Sequence, residues 1–351
     1  MQTNYDLRMI LTYRYRIKEF RAAMRELARQ ARQVNFCWNF CGETQEATRR
    51  WDRRWPSAYD LINLTSGASR ELGLHSDTIQ AVCKQFVVSR DTHRRRPRWR
   101  GRKSLGWIPF QCARPIEVDG DAVIFLGRRY RLWMSRKIDG EIKSGNFAQD
   151  ASGHWYLNLQ VEVAEKNDCG DGEIGIDLGL KTLATLSDGS KIENPRHLAR
   201  YAEKLAIAQR AGCKDKALAI NAKIKNCRKH HHHIESARLA KEYRLIVAGN
   251  VNASALVRTS MAKSVLDAGW SQFREFLRYK AVRHGGKYIE VSERFSTQSC
   301  SVCGALGGPQ GREGLVVRGW VCAHCGVAHD RDVNSAVNIL VSGRNAALRL
   351  T

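Results

Sequence analysis

Four cysteines near the C-terminal end have the spacing of a zinc ribbon. Cys300 and Cys303 are separated by two residues, and so are Cys322 and Cys325. Each pair places two thiolates on one tight turn, and two such turns complete a tetrahedral shell around one Zn²⁺. We therefore expect a structural zinc held by these four cysteines, with no position open to water. His324 lies inside the second pair and is expected to be a spectator, because the shell is already full.

The chain contains eleven cysteines, and the other seven show no paired ligand spacing except Cys37 and Cys41. These two lie one helical turn apart in an apolar segment, which favours the packing of free thiols in a core. The N-terminal segment lacks the apolar region of a secretory signal, so we expect the chain to stay inside the cell. In that compartment cysteines serve zinc sites and free thiols more than disulfides. No apolar run has the length of a membrane span, so we expect no membrane partner.

The chain is strongly basic, with a formal net charge of +23. Residues 1–103 contain 22 Lys and Arg against 10 Asp and Glu. Charge on this scale suits a polyphosphate partner, that is, a nucleic acid. Trp99 is placed to stack on a base or a sugar. It lies within a basic cluster formed by Arg90, Arg94, Arg95, Arg96, Arg98, Arg100, Arg102 and Lys103.

The first 168 residues have the pattern of a β-rich domain interrupted by helices. Apolar and polar residues alternate from Leu7 to Ile17, which predicts a half-buried strand. From about Glu19 the apolar residues recur every three or four positions, which predicts helices as far as about residue 90. Alternation returns after the basic cluster and is clearest in residues 155–163. We expect these strands to close one small β-barrel, with the helices as an insertion.

A second domain follows a linker rich in glycine and aspartate. Residues 174–179 are a short buried strand that carries Asp177, residues 245–248 and 288–291 are later buried strands, and Asp332 opens a final helix. This order is typical of an RNase H-like fold, in which strands one, four and five lie parallel and their carboxyl ends share one edge of the sheet. Ligands gather at that edge.

Carboxylates at such an edge can hold two divalent metals about 4 Å apart. One metal activates a water molecule, and the other stabilises the leaving oxygen of a phosphodiester. Mg²⁺ suits oxygen ligands and phosphate substrates. The sequence therefore predicts a two-metal magnesium site in addition to the structural zinc.

The sequence resembles the TnpB family of transposon-encoded RNA-guided nucleases, the ancestors of type V CRISPR effectors. The resemblance rests on residues 175–179, 296–304 and 322–339, which read GIDLG, STQSCSVCG and a run that contains DVNSAVNI. It extends over the whole chain, because the N-terminal barrel with its helical insertion is similar to the family's wedge and recognition domains. It implies cleavage of DNA at a site matched by a guide segment in a bound RNA, beside a short adjacent motif.

By this resemblance Asp177 is the first catalytic carboxylate and Asp332 the third, with Asp330 as a rival for the third. The chain departs from the family at the second, where a glutamate usually ends the fourth strand and this sequence has Asn250. A glutamate from the neighbouring fifth strand could reach the same metals, since adjacent strands lie about 4.8 Å apart. We expect Glu293 to take this role, with Glu290 as the alternative.

The resemblance also implies a domain organisation. Residues 1–20 and 104–168 would form the wedge-like barrel, residues 21–103 the helical recognition domain, residues 169–295 and 329–351 the RuvC-like nuclease domain, and residues 296–328 the zinc ribbon. The expected function is an RNA-guided DNA endonuclease of a prokaryotic transposon, cytoplasmic and associated with the nucleoid. Its partners would be a guide RNA from the transposon end and double-stranded target DNA. The alternative is a nuclease-inactive, RNA-guided DNA-binding repressor, which the absent glutamate favours.

Overall fold

A computed structural model describes residues 8–18, 20–51, 54–314 and 316–349. The chain divides into two compact units, Met1–Ala164 and Glu165–Thr351. In the part of the chain that the structure describes, no helix is long and apolar enough to cross a membrane.

The first unit contains one seven-stranded antiparallel sheet with β1 at its centre. Its order is β2-β6-β7-β1-β5-β4-β3, and the predicted first strand is confirmed from Arg8, Leu7 lying outside the described residues. The described pairings end at β2 and β3, so the sheet is a curled half-barrel and not the closed barrel that the sequence predicted. Its strands are β1 (Arg8–Ile17), β2 (Trp107–Phe110), β3 (Ile116–Asp119), β4 (Ala122–Phe125), β5 (Arg128–Trp133), β6 (Glu141–Gln149) and β7 (Trp155–Ala164).

Four helices lie between β1 and β2 in the sequence, as the change of period predicted. The long first helix buries one stripe that includes Leu27, Val34 and Cys41, each fully buried, and this stripe packs on α4. A Ser57–Asp60 capping box starts the second helix after Pro56. The helices are α1 (Arg21–Arg50), α2 (Ala58–Leu64), α3 (Ser69–Leu72) and α4 (Ser76–His93).

The second unit is built on a five-stranded mixed sheet with the order β10-β9-β8-β11-β12. Strands β8, β11 and β12 are parallel, and β9 and β10 complete an antiparallel opening. This is the strand arrangement predicted for an RNase H-like fold. The strands are β8 (Gly172–Leu178), β9 (Thr182–Leu186), β10 (Lys191–Glu193), β11 (Tyr243–Gly249) and β12 (Lys287–Val291).

Helices cover both faces of this sheet. One face packs on α9 through a core that includes Ile176, Ala248 and Phe273, and the other packs on α11 through Val247 and Leu340. Gly269, with φ of 64°, separates the helices that precede and follow it. The helices are α5 (His197–Arg210), α6 (Lys214–Glu242), α7 (Ala253–Leu256), α8 (Ala262–Ala268), α9 (Trp270–Arg283), α10 (Gly311–Gly314) and α11 (Arg331–Leu348).

A small cysteine-bearing segment lies between β12 and α11. Its hairpin is formed by β13 (Gly319–Val321) and β14 (Ala328–Asp330), with Trp320 paired to His329.

Candidate active site

Asp177 lies next to the end of β8, on the face of the sheet that packs against α11. Because side chains alternate along a strand, Ile176 and Leu178 point into the core beneath α9, whereas Gly175 and Asp177 face α11. A Cβ at Gly175 would overlap Ala336 O and lie 2.8 Å from Leu340 Cβ, so glycine is required for this close approach. The helix is thereby held against the strand that carries the first predicted carboxylate.

Ser335 of α11 binds Asp177 directly. Its fully buried hydroxyl donates to Asp177 Oδ1 at 3.0 Å and lies 2.9 Å from Ser296 Oγ, which can donate to it in turn. Both serines lie within the segments on which the family resemblance rests, but the sequence did not indicate a role for either of them. Their signal was weak, because serine is common at loops and helix starts. The pair fixes the orientation of the Asp177 carboxyl.

The β11 residue level with Asp177 is Gly249. Ala248 is paired with Ile176 of β8 and with Glu290 of β12, so the next residue, Gly249, lies between Asp177 and Val291 across the sheet. Asn250, where the sequence indicated the missing acid, is one residue further on and exposed, and its N–H donates to Val291 O at 2.9 Å.

Glu293 fills the space above Gly249. A Cβ at position 249 would overlap the Glu293 carboxyl group, with Cδ only 2.6 Å away. The carboxyl therefore lies over the end of β11, although it is carried by the segment after β12. Its Oε1 is buried and has no hydrogen-bond partner among the residues that the structure describes.

Glu290 is engaged elsewhere. It lies on the α9 face of the sheet, where Arg274 contacts it at 3.4 Å and Arg278 also forms an ion pair with it. Tyr288 donates a further hydrogen bond to it at 3.1 Å. Of the two glutamates considered from the sequence, the structure therefore brings Glu293, and not Glu290, to the face of Asp177.

Asp332 and its rival Asp330 have different roles at the start of α11. Asp330 is the N-cap: its Oδ1 accepts from the backbone N–H groups of Asp332 at 2.9 Å and Val333 at 3.1 Å. Asp332 lies in the first turn of the helix, where Arg318 and Arg331 each donate to it at 2.9 Å. Asp330 therefore caps the helix, whereas Asp332, paired with two guanidinium groups, lies near enough to Asp177 for its charge to affect the pKa of that carboxyl.

Electrostatics connect the three predicted carboxylates. Burial, followed by the negative charges of Glu293 and Asp332, raises the pKa of the Asp177 carboxyl to about 8, against the opposing hydrogen bond from Ser335. Burial also raises the pKa of Glu293, although the Val251 N–H opposes it. Partly buried carboxyls of like charge, one of them with an oxygen that lacks a partner among the described residues, are suited to a cation that would compensate their charge.

The four ribbon cysteines converge as their spacing predicted. Their sulfur atoms all lie within 4.8 Å of one another, with Cys300 and Cys325 at 3.6 Å and Cys303 and Cys322 at 3.7 Å. A tetrahedral shell with Zn–S bonds of about 2.3 Å has sulfur–sulfur edges of about 3.8 Å. The cluster is therefore compatible with a structural zinc ion.

His329 adds a contact to this cluster that the sequence did not indicate. Its Nε2 lies 3.1 Å from Cys300 Sγ, and its ring packs on Trp320 with centroids 4.7 Å apart. A ring N–H that donates to a thiolate orients the ligand in the way typical of groups around metal sites. His324, expected to be a spectator, is exposed.

Two asparagines join the first cysteine turn to α11. Asn334 and Asn338 lie one helical turn apart, and both donate to Ser299 O, at 2.8 and 2.7 Å. Asn334 Oδ1 accepts from the Ser301 N–H at 2.8 Å, next to Cys300. The helix that carries Asp332 is therefore hydrogen-bonded to the loop that carries the first two cysteines.

The basic cluster in the first unit contains both structural and exposed arginines. Arg100 donates to Asn35 Oδ1 at 2.7 Å and Leu105 O at 3.1 Å, and its guanidinium lies near the rings of Trp38 and Trp107. Burial lowers the pKa of Arg100. This residue therefore attaches the segment to α1.

Other members of the cluster line a cavity of about 520 Å³ beside this attachment. Trp99 contributes to its wall and is 57% exposed. A basic cavity with an exposed indole is suited to backbone phosphates and a stacked base. Its basic lining includes Arg95, Arg96 and Arg98.

Family models match two adjacent parts of the chain. The model described as OrfB_IS605, probable transposase, matches residues 156–260, and the model described as Cas12f1-like, TNB domain, matches residues 270–339. The first match includes Asp177 and Gly249, and the second includes the four cysteines, Glu293 and Asp332.

Named relatives agree with these models. A Streptomyces pristinaespiralis protein named as a candidate RNA-guided DNA endonuclease is 33% identical over 214 residues, 57% of this chain and 52% of that protein. The chain thus spans about half the length of this relative. A second relative, named as the candidate RNA-guided DNA endonuclease InsQ of Escherichia coli K12, is 26% identical and is matched over 84% of this chain and 79% of its own length.

A solved structure of Cas12f1 in complex with sgRNA and target DNA has a similar fold. It matches with a TM-score of 0.59 at 13% identity, over 91% of this chain and 83% of that one. The sheet order of the second unit is that of an RNase H-like fold, and the cysteine cluster is compatible with a zinc site. The resemblance to the TnpB family noted in the sequence is confirmed by these matches.

Proposed function

We propose that this protein is an RNA-guided DNA endonuclease that hydrolyses a phosphodiester at the edge of the β8–β11–β12 sheet. The observation that carries the proposal is that Glu293 and Asp332 lie near enough to Asp177 for their charges to raise its pKa, while Glu293 Oε1 is buried with no hydrogen-bond partner among the described residues. The names of the relatives support the reaction class.

The chain's own residues would prepare the site for two Mg²⁺ ions. Asp177, Glu293 and Asp332 would hold the metals, which supply the activation of water and the stabilisation of the leaving oxygen. Ser335 orients the Asp177 carboxyl, and Gly249 leaves room for Glu293. Arg318, 48% exposed, and Arg331 pair with Asp332, and Arg318 would be available to the substrate phosphate when its pair with Asp332 is open.

We also propose that Gly249 marks the place of the family's usual glutamate. It is level with Asp177 and faces α11, whereas Asn250 is exposed beyond the paired residues. An acid at 249 would need the volume that the Glu293 carboxyl occupies. The neighbouring segment thus supplies the carboxylate that β11 lacks.

The nucleic-acid partners would be a transposon-derived guide RNA and double-stranded target DNA. The net charge of +23 and the basic cavity around Trp99 support this assignment and an association with the nucleoid. Within this proposal, residues 1–20 and 104–168 form the wedge-like domain, residues 21–103 the recognition domain, residues 169–295 and 329–351 the nuclease domain, and residues 296–328 the ribbon with one Zn²⁺.

The test compares site variants in a single assay. The protein is purified with RNA co-expressed from the transposon end, and cleavage of a plasmid with a matched target is measured in Mg²⁺. Glu293→Gln, Asp177→Asn and Asp332→Asn should each abolish cleavage and keep guided DNA binding, because each removes charge at constant size. Glu290→Gln is the matched control and should cleave, and Asn250→Ala should have a mild effect.

A rescue variant tests the position of the acid. Glu293→Ala should be inactive, and the addition of Gly249→Glu should recover part of the activity, since the removed side chain leaves space above residue 249. Cleavage by Glu293→Gln together with loss of cleavage in Glu290→Gln would show that the wrong glutamate was chosen. If the unmodified protein binds a matched target and never cuts it in Mg²⁺ or Mn²⁺, the repressor alternative replaces the proposal.

A further inference from the structure

Three cysteines that are far apart in the sequence meet inside the helical part of the first unit. Cys37 and Cys41 lie one turn apart on α1, so they project from the same side of the helix. Cys83 of α4 joins them, and the three sulfur atoms all lie within 4.8 Å of one another. The sequence favoured core packing for Cys37 and Cys41. It did not indicate that Cys83 joins them, because the contact between α1 and α4 arises only in the tertiary structure.

The geometry resembles that of the ribbon cluster in the same chain. Cys41 Sγ and Cys83 Sγ are 3.9 Å apart, close to the 3.6 and 3.7 Å measured between ribbon cysteines. Three sulfur ligands around one metal at about 2.3 Å would have separations of about 3.8 to 4.0 Å. We propose that Cys37, Cys41 and Cys83 form a second metal site, which takes a soft divalent ion such as Zn²⁺ or Cd²⁺.

Burial and charge select this class of ion. The three cysteines are at most 2% exposed, so any net charge in the cluster is held away from water. A divalent ion on two thiolates and one remaining thiol is neutral, so it leaves no net charge in an apolar interior. Soft sulfur ligands exclude Mg²⁺ and Ca²⁺. Binding releases two protons to solvent, one from each thiol that becomes a thiolate.

An oxygen atom lies at the border of the cluster. Thr65 Oγ1 is 3.7 Å from Cys83 Sγ, and its hydrogen is donated to Leu61 O at 2.9 Å. Its lone pairs are therefore available to the cluster as a weak fourth neighbour. A metal here would connect α1 to α4 beside Trp38, whose Nε1 donates to Arg98 O at 3.0 Å, and would act as a structural staple.

The experiment counts ions in the full-length chain. Metal-free reduced protein is titrated with Cd²⁺, and the ions bound to cysteine are counted by the sulfur-to-cadmium charge-transfer absorption, which does not report ions at the carboxylates of the proposed active site. The wild type should bind two ions per chain, and Cys83→Ala should lose one of them. The matched control Cys112→Ala removes a thiol outside the cluster from the same unit and should still bind two.

A ribbon variant makes the test independent of the folding of Cys83→Ala. Cys303→Ser with Cys325→Ser disables the ribbon site and leaves the three buried cysteines intact, so it should still bind one Cd²⁺ and gain thermal stability from it. A folded ribbon variant that binds none would overturn the proposal and leave the three thiols as core packing. So would a wild type that binds a single ion that Cys83→Ala retains.

Discussion

Asp177→Asn should stabilise the metal-free protein, and the gain should grow with pH. The pKa of Asp177 is about 8 in the folded chain and 3.8 in its ordinary state. Because the pKa is higher in the folded state, the free energy of unfolding is greatest below about pH 4, where the carboxyl is protonated in both states. It falls as the pH rises toward 8. Asparagine does not ionise, and its Oδ1 still accepts from Ser335. The variant therefore removes the ionisation cost and preserves the hydrogen bond.

The magnitude follows from the shift. Each pKa unit corresponds to about 1.4 kcal/mol, so the ionisation of Asp177 disfavours folding at pH 7 by at most about 4 kcal/mol. The side chain is only partly buried, and screening by solvent reduces this to about 2 kcal/mol. We expect Asp177→Asn to raise the free energy of unfolding of the Glu165–Thr351 unit by about that amount at pH 7, and by almost nothing at pH 4.

The assay is denaturant unfolding in metal-free buffer across this pH range, with peptide-resolved hydrogen exchange at β8 and α11 to assign the change to this unit. Glu173→Gln, on the same strand, is the matched control. The hydrogen bond from Arg344 lowers the pKa of Glu173, so this variant should lose stability at neutral pH. A difference between Asp177→Asn and wild type that does not vary with pH, or a variant less stable than wild type at pH 8, would refute the reasoning.

Further predictions concern the ribbon, the basic cluster and the edge of the sheet. Cys322→Ser should lose the ribbon zinc on elemental analysis, and unchanged zinc content would contradict the site. Gly249→Ala should displace the Glu293 carboxyl and reduce guided cleavage. It should also lower the free energy of unfolding by about 1 to 3 kcal/mol, measured by denaturant unfolding. Full activity would mean that Glu293 acts from another position. Alanine at four arginines of the basic cluster should weaken RNA binding. It should also flatten the slope of log affinity against log salt, because fewer counterions are released. An unchanged slope would mean that the cluster serves only solubility. The four are Arg94, Arg95, Arg96 and Arg98.

The tertiary structure decided which side chains from distant segments share a site. From the sequence, Glu293 and Glu290 were both candidates for the missing acid. In the structure the Glu293 carboxyl lies over Gly249, and Glu290 faces α9. Ser335, a residue without a predicted role, proved to bind Asp177, and Cys83 proved to meet Cys37 and Cys41. These contacts join residues 42 to 158 positions apart in the chain, so they depend on how whole elements pack and leave no local spacing to recognise.

The sequence by itself determined what local geometry controls. Two residues between cysteines place both sulfurs on one turn, so Cys300, Cys303, Cys322 and Cys325 could be predicted as one cluster before any fold was known. The alternation of apolar residues predicted β1, and the buried strand around Asp177 predicted the first carboxylate. Spacing within one element fixes where its side chains point, because the backbone repeat is short and regular. The level at which neighbouring strands pair is set by the packing of helices on both faces of the sheet, and this register brought Gly249 and Glu293 together beside Asp177.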